Sequence, residues 1–310
     1  MHVLTELDRA QIADLIARDD FFWLDLTDPS ESDLGVLAEL LKLEDTAARE
    51  LSERAPLPRL NDSFEDYLVL IYFGVGGPDQ KFAPIMVRTL ISGSYIVTVH
   101  DERCVILEEV ARQFGGRPEH DEGEVIYKVL GALTDSFFGA LDDIDERIEA
   151  VEDRVLERPH RSQLEKIVKV KKGLVELRKI ATRQRNVLSR AEQELPELPG
   201  LQASPRSFRD VYQRMISVSE LIDSSRDVLT GAQDVYLNSV NERLTLVATI
   251  FFPLTVLTGF FGMNFGWMVR HIDSLADFAI LGGGGVLAVT FAVLILFWRA
   301  GYLGNGTVRS

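Results

Sequence analysis

The chain is 310 residues long, with 48 Asp and Glu against 33 Lys and Arg, a net charge of −15 and a mean hydropathy of +0.05. The acids are concentrated in residues 1–160, which hold 35 of them against 15 Lys and Arg, whereas residues 161–310 hold 13 against 18. An acidic half repels nucleic acid and gathers cations, or serves only as solubilising charge, and a charged fraction of 26% keeps most of the chain in water.

The first residues, Met-His-Val-Leu-Thr-Glu-Leu-Asp, lack the basic and apolar regions of a signal peptide, and the single Cys104 excludes an intrachain disulfide. A cytosolic setting is therefore expected for this half. Asp28-Pro29 reads as a helix start, with the carboxylate as N-cap and proline at the first helical position, leading into 34–43. Residues 67–75 and 82–91 are β-branched and aromatic runs joined by Gly76-Gly-Pro-Asp79, a hairpin pattern. Residues 95–100 extend the sheet after Ser92-Gly-Ser94, and 103–114 read as a helix ended by Gly115-Gly-Arg-Pro118. Together these predict a small α/β domain over 1–120. His100-Asp-Glu-Arg-Cys104 contains metal-ligand types, but two such groups at a strand end read better as a solvated turn.

Residues 121–243 are expected to be helix only. Ile126, Leu130, Leu133, Phe137, Leu141, Ile144, Ile148, Val151 and Val155 keep helical spacing up to Pro159, and Ser162 with Glu165 reads as a capping box for the next helix, running to about Glu194. The first of these helices carries Asp142, Asp143, Asp145, Glu146, Glu149, Glu152, Asp153 and Glu157, a solvated face or a cation-gathering layer. Leu195-Pro-Glu-Leu-Pro-Gly200 reads as a loop, and Ser204-Pro205 starts a further helix. Phe208, Val211, Met215, Val218, Ile222, Ser225, Leu229, Ala232 and Tyr236 repeat there at three-four spacing. Unbroken to Gly262, that helix would be about 87 Å long. Its apolar seam reads as one stave of an oligomeric funnel.

Residues 244–265 and 278–298 are uncharged stretches of 22 and 21 residues, each long enough to cross a hydrocarbon layer of about 30 Å. The connection 266–277 is too short to be a domain. Arg243 before the first span, with Arg299 and Arg309 after the second, places both ends on the cytoplasmic side, and Arg270 weighs slightly against this. Pro253 lies inside the first span, where membrane helices tolerate proline, and Gly282 to Gly285 reads as a packing notch in the second. Gly262-Met263-Asn264 closes the first span. An amide at that mouth can hold a hydrated ion without stripping its water. Three- and four-residue steps back from the motif put Asn241, Leu244, Ala248, Phe252, Thr255 and Gly259 on one face, the candidate pore lining. It carries no carboxylate, which suits magnesium, an ion that dehydrates reluctantly. Thr255 and Gly259 would also serve simple close packing of helices. No phosphate loop, Ser/His/Asp set or paired catalytic acids occur, so an enzyme is not expected.

Pro253-Leu-Thr-Val-Leu-Thr-Gly-Phe-Phe-Gly-Met-Asn-Phe265, a C-terminal pair of spans and a long helix feeding them resemble the CorA-type magnesium channel family. Phe208-Arg-Asp-Val-Tyr212, Asp234-Val-Tyr-Leu237 and Phe64-Glu-Asp-Tyr67-Leu68 extend the similarity over most of the chain. The resemblance implies an α+β membrane protein with a cytosolic α/β domain (1–120), a funnel of long helices (121–243), two transmembrane helices with the Gly-Met-Asn loop (244–299) and a cytosolic tail (300–310). It implies a homopentamer in the cell membrane, contacting lipid and divalent cations. Its filter would be Gly262, Met263 and Asn264. Magnesium would be the transported and regulatory ion, with no other cofactor, and Asp210 a regulatory ligand at a subunit boundary. The connection departs from the family, its first acid being Asp273, and a single Arg299 stands where relatives carry basic runs. A zinc transporter of the ZntB type and a membrane-anchored cation sensor stay open as alternatives.

Overall fold

The computed structural model describes residues 2–55, 57–76, 83–114, 122–157, 160–201, 205–263, 266, 271 and 274–299. The chain divides into two compact units, Met1–Gln233 and Asp234–Ser310.

The first unit is built on six strands, β1 (His2–Leu4), β2 (Phe22–Thr27), β3 (Arg59–Asn61), β4 (Tyr67–Val75), β5 (Pro84–Ser92) and β6 (Tyr95–His100), in the spatial order β1-β2-β6-β5-β4-β3. β1 and β6 flank β2 in parallel, while β5 pairs antiparallel with β6 and β4, and β3 with β4. The β4–β5 hairpin stands as expected, with Tyr67 opposite Ser92 and Val75 opposite Pro84. All nine residues of β4 are buried, because helices cover both faces of the sheet. On one face α1 (Arg9–Arg18), α2 (Glu31–Leu41) and α3 (Asp45–Ser52) bring Ile12, Leu15, Leu37, Leu41 and Leu51 into a core with Phe22, Leu24, Leu26, Val97 and Val99. On the other face lie α4 (Val105–Phe114) and the start of α5 (Glu122–Glu157), and a Cβ placed on Gly74 of β4 would come 2.9 Å from Leu133 of α5.

Two helix starts differ from the sequence reading. Asp28 is not the cap of α2. It sits at φ 47°, and Ser30 is the N-cap, its hydroxyl accepting from Asp33 N at 3.1 Å while Asp33 accepts from Ser30 N at 3.0 Å. The reciprocal pair satisfies two donors, more than Asp28 could. In the same way α6 (Arg161–Glu194) is capped by His160 and Gln163, not by Ser162 and Glu165: His160 Nδ1 accepts from Ser162 N and Gln163 Oε1 from His160 N. The expected loop after α6 includes a short 3-10 turn, Leu195–Glu197, with Leu195 and Leu198 buried. Beyond it, Pro199 and Gly200 press on the β5–β6 turn so closely that a Cβ on Gly93 would sit 2.2 Å from Pro199 O. The breaks expected at Gly115–Pro118 and Pro159, the Gly77–Asp79 part of the hairpin turn, and Ser204 lie outside the described residues.

α7 (Pro205–Phe261) is continuous through Pro253. Phe208, Val211, Met215, Val218, Ile222, Ser225, Leu229 and Ala232 are buried within this one chain, and Tyr236 is half-buried. Polar ties run to α5 and α6 alike: Ser225 donates to Asp145 at 2.7 Å, Arg178 pairs with Asp223 at 3.0 Å, and Arg209 pairs with Glu192 at 3.0 Å. The seam expected to join copies is therefore spent on intrachain helix packing. Three-four periodicity shows that a face is covered, not which chain covers it. A flank of α7, about 110° round the helix from the seam, presents Ser217, Leu221, Ser224, Val228 and Gly231, an uncharged exposed stripe at the same spacing.

The second unit contains the end of α7, a short helix α8 (Leu275–Phe278), a π-helical turn (Ala279–Gly283) and α9 (Gly284–Arg299). Two helices, Arg206–Phe260 and Leu275–Arg299, have the length and apolar composition to cross a membrane.

Candidate functional site

The two apolar helices show which of their sides meet. On α7 the less exposed positions are Leu246, Ile250, Pro253, Leu254 and Leu257; on α9 they are Gly285, Val286, Val289, Thr290, Val293, Leu294 and Phe297. A Cβ on Gly285 would lie 3.9 Å from Leu257 Cδ2, an ordinary contact, whereas Gly283 and Gly284 have open space around them. The notch expected over Gly282 to Gly285 thus has a counterpart at Gly285, with the glycines just before it in or next to a π-helical turn.

Asn241, Leu244, Ala248, Phe252, Thr255 and Gly259 are all exposed, Leu244 by 63% and Phe252 by 73%, and at 100° per residue they lie on the side of α7 turned away from α9. Thr255 donates its hydroxyl proton to Phe251 O at 2.8 Å, which satisfies the donor within its own helix. Thr245, Thr249 and Thr258 make the same bond to their own preceding turns. Among the described residues nothing lies within 4 Å of a Cβ on Gly259, so none of their helices packs on it. At the end of α7, Gly262 N donates to Thr258 O at 2.9 Å and Met263 N to Phe260 O at 3.3 Å. A Cβ on Gly262 would come 3.2 Å from Thr258 O, so the closing turn is tight. Asn264 lies outside the described residues, as do Trp267 to Arg270 and Asp273.

Asp210 is already partnered within the chain. Its Oδ2 accepts from Tyr127 OH at 2.9 Å and faces Arg214 Nη2 at 3.0 Å. Arg214 also donates to both oxygens of Asp135, at 2.7 and 2.6 Å. Burial raises the Tyr127 phenol, and its bond to Asp210 adds to the rise. Burial works against the Arg214 charge, but the bonds to Asp135 outweigh it and the guanidinium is held more firmly protonated than usual. Tyr127, Asp135 and Arg214 were missed in the sequence. Their only local signals are the eight-residue separation of 127 and 135 and the i,i+4 pair of 210 and 214.

Among the described residues no group of three or more His, Cys, Asp or Glu is placed to hold a metal ion. The segment from His100 to Cys104 is not the solvated turn expected at its ends. His100 is buried, with Nδ1 2.6 Å from Glu102 O and Nε2 3.1 Å from Asp25, and burial pushes the Cys104 thiol up to about 11. On the acidic part of α5, Asp142, Asp145, Glu146, Glu149 and Asp153 are exposed, with Asp145 tied to Ser225.

The family model of the CorA-like Mg2+ transporter protein matches residues 18–299. The cobalt/magnesium transport protein CorA of Thermotoga maritima is 37% identical over 176 residues, 54% of this chain and half of that protein's length. The zinc transport protein ZntB of Pectobacterium atrosepticum is 28% identical over 79% of this chain and 77% of its own length. The complete structure of the CorA magnesium transporter from Methanocaldococcus jannaschii shares the fold, with a TM-score of 0.61 at 22% identity, covering 90% of this chain and 89% of that one.

Proposed function

The chain belongs to the CorA-like Mg2+ transporter family, a family of divalent metal transporters and not of enzymes, and from that premise we propose that it is a magnesium channel working as a homopentamer. It is a membrane protein with two C-terminal membrane-spanning helices. The observation that carries the proposal is the stripe from Asn241 to Gly259, which is uncharged, turned away from α9 and ends at Gly262-Met263-Asn264.

In this reading Asn264 and the Gly262 backbone meet the ion with its first water shell in place. Thr255 and the Gly259 carbonyl offer oxygens midway, and Phe252 and Leu244 form apolar constrictions that gate by dewetting. A neutral polar lining has no ligand strong enough to displace water from magnesium, so passage of the hydrated ion is the path of least cost. One pair of spans cannot enclose a pore, so several copies must contribute α7, and five is the number the family resemblance implies. The exposed stripe Ser217, Leu221, Ser224, Val228 and Gly231 supports such an assembly, since small and apolar residues at this spacing let two helices approach. Arg243 and Arg299 favour cytoplasmic ends, and the division at 120, 243 and 299 into domain, stalk, spans and tail belongs to the same proposal.

Zinc is the second reading. It is favoured by the similarity to the zinc transport protein and by Arg270-His271, which precede the first acid of the connection and include an imidazole that suits zinc. The deciding experiment is divalent uptake into proteoliposomes loaded with a magnesium dye. Magnesium entering faster than into empty liposomes supports the channel. Zinc entering while magnesium does not transfers the assignment to zinc, and no flux of either leaves a membrane-anchored sensor.

A further inference from the structure

On α5, Tyr127, Gly131 and Asp135 stand four residues apart and line one face of the helix. Arg214 of α7 is seated on that face. Its Nη1 donates to both Asp135 oxygens at 2.7 and 2.6 Å, its Nη2 reaches Tyr127 OH at 3.2 Å and Asp210 Oδ2 at 3.0 Å, and its Cζ lies 5.5 Å from the centre of the Tyr127 ring. A Cβ on Gly131 would come 3.1 Å from Nη2, so the missing side chain there is what lets the guanidinium lie against the helix. A ring, a notch and two carboxylates thus surround one cation.

We propose that this is a cation site whose resident ligand is the chain's own Arg214, so that the packing of α5 on α7 needs no divalent ion and Asp210 Oδ2 is held by the guanidinium and not by intracellular magnesium. The inference is independent of the transport reading, and it replaces the regulatory-ion role that the resemblance implies for Asp210. A guanidinium is permanently charged, forks to match carboxylate geometry and is weakly hydrated, whereas magnesium must give up tightly held water to reach the same oxygens. Arg214 is also tethered one helical turn from Asp210, at an effective concentration that free magnesium does not match. Without the guanidinium, Asp135 and Asp210 would face each other as two like charges, and a hard divalent cation is the ligand class that answers two carboxylates and a phenol oxygen.

The test is limited proteolysis of the full-length protein in detergent, with and without millimolar magnesium. The wild type should be cut at the same rate in both conditions. Arg214→Gln should be cut roughly tenfold faster without magnesium, cleavage following the population of the opened form, and magnesium should slow that cutting several-fold. Adding Asp135→Asn to Arg214→Gln should abolish the magnesium response. Arg214→Lys keeps one positive charge and should stay insensitive to magnesium. An equal magnesium response in wild type and Arg214→Gln, none in Arg214→Gln, or a response in Arg214→Lys would each overturn the proposal.

Discussion

Gln184 of α6 and Phe73 of β4 exchange two hydrogen bonds of 2.9 Å, Phe73 N–H donating to Oε1 and Nε2 donating to Phe73 C=O. β3 pairs β4 only from Val69 to Ile71, so at Phe73 the strand edge has no strand neighbour, and a side-chain amide does the work of a backbone. One step further Ser136 accepts from Val75 N at 2.8 Å. Gln184→Leu should leave a buried N–H and C=O unpaired, each costing about 1–3 kcal/mol. A thermal melt of the solubilised protein should show a clear drop, and an unchanged midpoint would remove this pair from the stabilising contacts.

The second prediction concerns pH. Trp23 Nε1 donates to Thr98 at 2.9 Å, Thr98 donates to Asp25, and Asp25 faces His100, all buried. Burial by itself would lower the His100 value of 6.5, and Arg88 opposes the charge too, but the bond to Asp25 and the Glu102 carbonyl outweigh both and the net shift is upward. A folded-state value above the unfolded one means that the stability contributed is fully present below about pH 6.5 and is lost as pH rises through the raised value. His100→Gln should flatten the dependence of the melting midpoint on pH across that window. A variant that keeps the wild-type slope would show that another group titrates there.

Assembly should depend on the exposed stripe of α7 and not on its buried seam. Leu221→Glu with Val228→Glu should lower the oligomer number seen by native mass spectrometry while leaving the chain folded, because both side chains are exposed in the single chain. Val218→Ala should instead cost about 1–3 kcal/mol of fold stability with the oligomer number unchanged. The reverse pattern would return the seam to the interface between copies.

The mouth of the proposed pathway is tested through Asn264. Losing a hydrogen bond to a charged species costs about 1.5–3 kcal/mol, so Asn264→Ala should cut magnesium flux roughly tenfold to a hundredfold with oligomerisation intact. A hexaammine cobalt ion has the outward donors and octahedral shape of hydrated magnesium but keeps its ligands, so it should block the wild type. Strong competition by zinc together with indifference to the complex would favour a site that grips bare metal.

Local pattern was enough to read β4 to the residue, the lengths of α5 and α6, the two apolar spans and the Gly-Met-Asn motif between them. Each depends on short-range spacing or on an uninterrupted run, and those are properties of the sequence itself. The same spacing marked Phe208 through Ala232 as a covered face but could not say that α5 and α6 of the same chain cover it. Nor could it bring Gln184 to Phe73, or Arg214 to Tyr127 and Asp135, because those partners lie 79 to 111 residues apart and meet only once the helices pack. Asp210 shows the difference most directly: the sequence placed its carboxylate in a recognisable run one helical turn from Arg214, and the tertiary structure decided that Asp135 and Tyr127 of α5 meet the same guanidinium. Periodicity reports that a surface is buried or a charge is placed, while the identity of what answers it is settled by packing, through contacts whose separation along the chain leaves no local trace.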